Sequence, residues 1–224
     1  MFFEEHAKLL SDFARVSQAA GARADYVQGG GGNTSVKLPG GLMAIKASGF
    51  CLSDIRPDKA YAVLDGADLR NFYLTTEPSA LADVEKEGSA RAKADIRHID
   101  GLADLRPSVE AGFHSILKTF VVHTHSVYAN LAACSTACRP IAAQAFAGAN
   151  YTWGWVPYTD PGANLTFAIR DELRRVEAET GKDPSVILMQ NHGIIVHDDD
   201  PDTALAIHTD ANERLARMFG LSGT

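Results

Sequence analysis

The sequence predicts a mixed α/β fold in which helices wrap an at least partly antiparallel sheet. Three observations carry that reading. Asn33–Leu38 and Leu42–Ala47 flank the turn Pro39-Gly40-Gly41 as two hairpin strands. Short apolar, β-branched runs recur at Thr119–Thr124 and Val186–Met189. Helical apolar spacing appears near both ends of the chain and at Ala163–Thr180.

In chain order, Phe3, Leu9, Leu10, Phe13 and Val16 recur with helical spacing, and the helix stops near Gly21. The glycine run Gly29–Gly32 leads into the hairpin, and Tyr61–Leu64 is a candidate third strand. Ala80–His98 is rich in helix formers and charge, and Arg106–Leu117 reads as a further helix with Pro107 in its first turn. After the strand Thr119–Thr124 come a helical stretch, Val127–Cys134, and an extended one, Gly154–Tyr158. Ala163–Thr180 is an amphipathic helix; Val186–Met189 and Ile194–His197 are strands about the tight Asn191-His192-Gly193. Asp198–Asp200 suit the positive N-terminus of a last helix, Asp202–Phe219. Trp153 and Trp155 alternate on a strand and read as core or subunit-contact residues, and His208 and Glu213 as structural ones.

The 224 residues form one domain, 1–224, with no repeat, low-complexity tract or linker. Hydrophobic residues at 46% and charged residues at 22% are ordinary for a globular chain and exclude disorder and coiled coil. A net charge of −7 argues against nucleic acid as a partner, because the global field repels a polyphosphate. No apolar run approaches the ~20 residues of a membrane span, and Met1–Glu5 lacks the basic flank of a signal peptide. The expectation is a cytoplasmic protein with no membrane partner. Cys51, Cys134 and Cys138 imply no disulfide framework. Cys134 and Cys138, four apart, read as small buried residues on one helix face.

Chemistry concentrates in histidine. His123 and His125 flank Thr124 at a strand end, and residues two apart on a strand share a face. HxH alone is a weak metal signal; a third imidazole would complete the three-ligand set of a catalytic zinc with an open position. His192, displayed after a buried strand and before Gly193, is the candidate third ligand, or else a turn histidine bonded to backbone. Glu110, thirteen residues before His123, is either a dipole partner at a helix N-terminus or a general base. His114 shares its face as a supporting group. The glycine run with Asn33-Thr34-Ser35, together with Ser48-Gly49, either cradles a phosphate or is a flexible loop; no nucleotide motif is present.

In order along the chain, GGNTSVKL, AIKASG, RPSVEAGFH, VVHTHS, VPYTDPG and LMQNHGIIV resemble the class II aldolase/adducin family. The stretch RPSVEAGFHSILKTFVVHTHS most resembles the aldolase half of bifunctional rhamnulose-phosphate aldolase/alcohol dehydrogenases. The resemblance implies a single-domain α/β/α fold with a central, mainly antiparallel sheet. It implies that His123, His125 and His192 bind Zn2+, with manganese, cobalt or iron as other divalent choices for three imidazoles. Glu110 is then the acid/base, and Asn33, Ser35, Ser48, Gly49 and Ser108 surround the phosphate of a sugar-phosphate substrate. Tyr158 is a further candidate.

Two departures stand out: no tyrosine follows Tyr158, where family members use a C-terminal tyrosine as proton donor, and the family's serine pair is here Ser108-Val109. The implied activity is a carbon-carbon lyase of carbohydrate metabolism that splits a ketose 1-phosphate into dihydroxyacetone phosphate and an aldehyde. The alternatives are a pentulose-phosphate 4-epimerase, a ketose-phosphate dehydratase, and a non-catalytic assembly module like adducin heads. The family also implies a homotetramer.

Overall fold

The computed structural model describes residues 1–221 and shows a three-layer α/β/α sandwich. Eight strands form one sheet: β1 (Asn33–Leu38), β2 (Leu42–Lys46), β3 (Tyr61–Asp65), β4 (Ile96–Arg97), β5 (Phe120–Thr124), β6 (Trp153–Val156), β7 (Val186–Met189) and β8 (Gly193–Asp198). Their spatial order is β4-β3-β2-β1-β5-β8-β7-β6. Every pairing is antiparallel except β6 with β7, which run parallel at the edge. A parallel pair needs a crossover, and the chain supplies it with α8 (Ala163–Thr180).

On one face, Met43, Ile45, Leu64, Val121, Ile187 and Ile195 meet α3 (Gly66–Thr75), α5 (Ala111–Ile116) and α8 through Leu69, Phe113, Leu165 and Ile169. The other face has two clusters. Val36, Ala44, Val63 and Val122 pack on Leu10 and Phe13 of α2 (Ala7–Gly21). Val186, Leu188, Ile194 and Val196 pack against α6 (Val127–Ala133), α7 (Cys138–Ala145) and α9 (Pro201–Met218). Alternation along each strand thus feeds both layers, so the central strands are apolar on both sides.

Several expectations need correction. The first helix breaks at His6 into α1 (Phe2–Glu5) and α2. The helix expected over Ala80–His98 is confined to α4 (Val84–Ala94), capped by the Asp83 side chain, and Ile96–Arg97 becomes the edge strand. Of Arg106–Leu117 only Ala111–Ile116 is helical. Pro107 is extended and bridges Ala47, so it does not open the helix. Helices α3 and α7 lie outside the elements expected from the sequence. Cys134 is exposed at the end of α6 while Cys138 is buried at the start of α7, so they share no helix face. The capping role expected of the aspartate run holds: Asp200 accepts the Thr203 N–H at 2.7 Å. Trp153 and Trp155 are half-buried against the α7/α9 cluster.

Two imidazoles are locked inside. Burial holds His197, on β8, down at about 3 and His208, on α9, at about 4. Both are neutral in the fold and protonate on unfolding below pH 6.5. The stability they favour is complete above the unfolded value and is lost as pH falls toward the folded one. The expected result is a folding free energy that declines by several kcal/mol, to order of magnitude, from pH 6.5 to 4. Urea titrations of the wild type and His208→Gln check it: the substitution makes the decline shallower, and an equal decline in both would contradict the assignment to His208.

Candidate active site

The site forms where β1, β5 and β8 end together. His123 is the fourth residue of β5, wholly buried, and stands opposite Asn33 on β1 and Ile195 on β8. Its Nδ1–H donates to the Ile194 carbonyl at 3.0 Å. That bond fixes the tautomer and leaves the Nε2 lone pair pointing away from the backbone. His125 follows just past the strand end, half-buried, with its Nε2 3.1 Å from His123 Nε2. His192 comes from the β7–β8 connection; its ring centroid is 4.9 Å from that of His123 and 5.2 Å from that of His125.

Close backbone approach makes this convergence geometrically available. Gly32 adopts φ +69°, and a Cβ there would lie 2.6 Å from the His123 carbonyl. A Cβ on Gly193 would lie 2.4 Å from the Thr124 carbonyl. The sharp turn itself is made by Asn191, at φ +55°, so Gly193 serves close packing more than turning. From below, Thr124 Oγ1 is 2.8 Å from His208 Nε2, which anchors the residue between the two histidines to α9.

Glu110 arrives from the other layer at the N-cap of α5 and is buried. Its Oε1 is 3.0 Å from His192 Nε2, and its Oε2 is 3.6 Å from His123 Nε2. Oε2 also accepts the Asn33 side-chain N–H at 2.5 Å. Burial alone would raise this carboxyl, but the imidazoles and the Asn33 amide outweigh it and hold Glu110 well below the usual carboxylate range. Burial depresses His123 to about 3 and also lowers His125, so both rings are neutral at physiological pH. Neutral imidazoles are what a divalent ion requires of its ligands. The ligand atoms of His123, His125 and His192 all lie within 4.8 Å of one another, so this group can bind a metal.

The remaining expected residues divide. Ser108 accepts from both Asn33 Nδ2, at 3.1 Å, and the Glu110 backbone N–H, at 3.2 Å. The Ser48 backbone N–H donates to the Arg106 carbonyl at 2.9 Å, and this bond with the Ala47–Pro107 bridge sets the Ser48-Gly49 turn beside Ser108. Ser48 and Ser108 line one cavity of about 710 Å³. Ser35 lies deeper: it is buried, with its hydroxyl 2.8 Å from His114 Nδ1, which makes His114 the supporting group expected of it. Tyr158 is exposed, and its hydroxyl donates to Asp160 at 2.7 Å. Lys46, at the end of β2 and buried, lies outside the expected site residues.

Residues 11–219 match the family profile described as the Class II Aldolase and Adducin N-terminal domain. The structure is similar to the N-terminal class II aldolase domain of a conserved Thermoplasma acidophilum protein, with 20% identity, 93% of this chain and 92% of that one covered, and a TM-score of 0.75. It is also similar to a sugar-phosphate aldolase from Thermotoga maritima (15% identity, 97% of each chain, TM-score 0.61). A third similar structure is the L-fuculose-1-phosphate aldolase from Thermus thermophilus (15% identity, 96% and 95% covered, TM-score 0.57). At these identities the structural likeness shows the fold. Among curated proteins, none matches the sequence significantly. No helix among the described residues is long and apolar enough to cross a membrane.

Proposed function

From a chain that belongs to the class II aldolase and adducin family, we propose a metal-dependent aldolase that reversibly cleaves a ketose 1-phosphate into dihydroxyacetone phosphate and an aldehyde. The observation that carries this reading is the Glu110 carboxylate, 3.0 Å from His192 Nε2 and 3.6 Å from His123 Nε2, within a group of three converging imidazoles. A divalent ion on His123, His125 and His192, zinc first among the candidates, supplies Lewis-acid polarisation of the ketose carbonyl.

The chain's own groups do the rest. In the condensation direction Glu110 takes a proton from the carbon next to the carbonyl, and in cleavage it returns that proton. Asn33 holds Oε2 and so orients the carboxylate toward the histidines. Ser108 supports Asn33 and the Glu110 backbone at once, and with Ser48 and Gly49 it offers hydroxyls and backbone to the phosphate. A non-catalytic module has no use for a carboxylate poised against three imidazoles.

The test is incubation of the zinc-loaded protein with L-fuculose 1-phosphate, L-rhamnulose 1-phosphate and related ketose phosphates. The expected result is release of dihydroxyacetone phosphate that stops on addition of a chelator. Formation of an epimeric pentulose phosphate or a dehydrated sugar in place of two fragments would reassign the reaction on the same residues.

A further inference from the structure

The face of β1 that looks at α5 is polar in an otherwise apolar interior. Thr34, Val36 and Leu38 point to the α2 layer, Thr34 through its contact with Ser17 and the other two through the apolar cluster there. Asn33, Ser35 and Lys37 therefore point to α5, since alternate residues of a strand share a face. All three bond to the segment that carries Glu110. Asn33 donates to Glu110 Oε2 at 2.5 Å and to Ser108 Oγ at 3.1 Å. The Ser35 hydroxyl is 2.8 Å from His114 Nδ1, and the Lys37 amino group donates to the His114 carbonyl. Ser35 and His114 are buried, and His114 Nε2 has no hydrogen-bond partner among the described residues, so Nδ1 alone anchors the ring.

Helix α5 needs these bonds. It has six residues, too few to be stable by itself, and the His114 N–H reaches the Glu110 carbonyl only at 3.4 Å. Packing sets it sideways: a Cβ on Gly112 would lie 2.5 Å from Thr166 Oγ1 and 2.8 Å from the Tyr73 ring, so α3 and α8 close on it. Such packing still leaves rotation about the helix axis and sliding along it. Either movement displaces a side chain at the N-cap, four residues before His114. Burial, with Arg70 nearby, holds the Lys37 amino group well below its ordinary pKa. A buried donor is costly to leave unpaired, which keeps it on the His114 carbonyl. Asn33 fixes the tip of Glu110, whereas Ser35 and Lys37 fix the helix behind it.

We propose that Ser35 and Lys37 are positioning residues for the general acid/base. Through the ring and the carbonyl of His114 they set the rotation and height of α5, and so the placement of the Glu110 carboxylate beside His192 and His123. The inference deepens the aldolase reading and rests on it for the reaction, while the positioning itself belongs to the fold. Neither residue lines the Ser48–Ser108 cavity, and Lys37 faces a separate one beside Arg70 and Asp199. Their effect on turnover is transmitted through α5.

The experiment is a pair of double-mutant cycles on the zinc-loaded protein: Lys37→Met and Ser35→Ala, each in the wild type and in Glu110→Gln. With Glu110 present, each substitution lowers kcat for ketose 1-phosphate cleavage by about 10- to 100-fold, the scale of a misplacement of about 1 Å. KM stays within about twofold of the wild-type value and zinc remains bound, as expected when binding groups are untouched. Lys37→Arg, which keeps the donor, recovers most of the loss. In Glu110→Gln the same substitutions change the residual rate by less than about twofold, because groups that act as a unit are not additive. Equal losses in both backgrounds, or a loss confined to KM, would overturn the proposal, since the bonds would then support the fold alone. Should Lys37→Met fold poorly, Ser35→Ala completes its own cycle.

A readout independent of the reaction separates this proposal from the aldolase reading. It is the imidazole nitrogen resonance of His192 in the metal-free protein, where Glu110 Oε1 lies 3.0 Å from Nε2. Lys37→Met and Ser35→Ala move the Nε2 signal in the direction that Glu110→Gln moves it. If they do so and no ketose phosphate is cleaved, the aldolase reading fails and the positioning stands. An unmoved signal overturns the positioning, whatever the wild type catalyses.

Discussion

Glu110→Gln lowers kcat for ketose 1-phosphate cleavage by about 100- to 10,000-fold, the range for loss of a positioned general acid/base, while one zinc per chain remains bound. The substitution preserves shape and leaves an amide oxygen to accept the Asn33 N–H, which now reaches Oε2 at 2.5 Å. What is lost is the ability to hold a proton beside His192 and His123. Metal content and steady-state kinetics on the same preparation check the result. Full activity in the variant would remove Glu110 from the chemistry, and loss of zinc would make it a ligand instead.

His192→Ala has the second large effect. It removes one of three converging imidazoles from a turn at the rim, not from the interior of β5, so the sheet registers on either side are retained. Zinc affinity is expected to fall by more than about 100-fold, because changes in groups that merely orient ligands already cost 10- to 100-fold. Activity falls with it at limiting zinc. The metal-stripped variant should melt close to the metal-stripped wild type, whereas zinc should raise the Tm of the wild type alone. Unaltered zinc affinity would exclude His192 as a ligand.

Much of this was legible in the chain because its signals are local. The hairpin around Pro39-Gly40-Gly41, the strand ending in His123-Thr124-His125 and the cap at Asp200 each follow from short-range steric and hydrogen-bonding rules. The convergence of His192 with the other two histidines, about 70 residues away, could only be suggested by position. The register that sets β8 beside β5 decides it. The backbone around Glu110 departs from its local signal: propensity favours a helix from Arg106, but the Ala47–Pro107 bridge extends that segment and delays α5 to Ala111. Tertiary pairing there overrode propensity.

Ser35 and Lys46 show the same limit from opposite sides. Ser35 sits in a glycine-asparagine-serine run that reads as a phosphate cradle, yet alternation along β1 points it inward to His114. Lys46 reads as an ordinary strand terminus, and only the return of the chain through Gly30 and Phe50 shows that it is enclosed.

The central claim is that Glu110 moves a proton on the carbon next to a carbonyl held at the three-histidine site. The most direct measurement uses dihydroxyacetone phosphate alone in deuterium oxide, because this half-reaction needs no aldehyde and no knowledge of the full sugar. The account predicts exchange of one hydrogen on the hydroxymethyl carbon by the zinc-loaded wild type, abolished by a chelator and by Glu110→Gln. A protein with one zinc per chain that leaves every carbon-bound hydrogen unexchanged, or one that exchanges equally well after chelation, would contradict it.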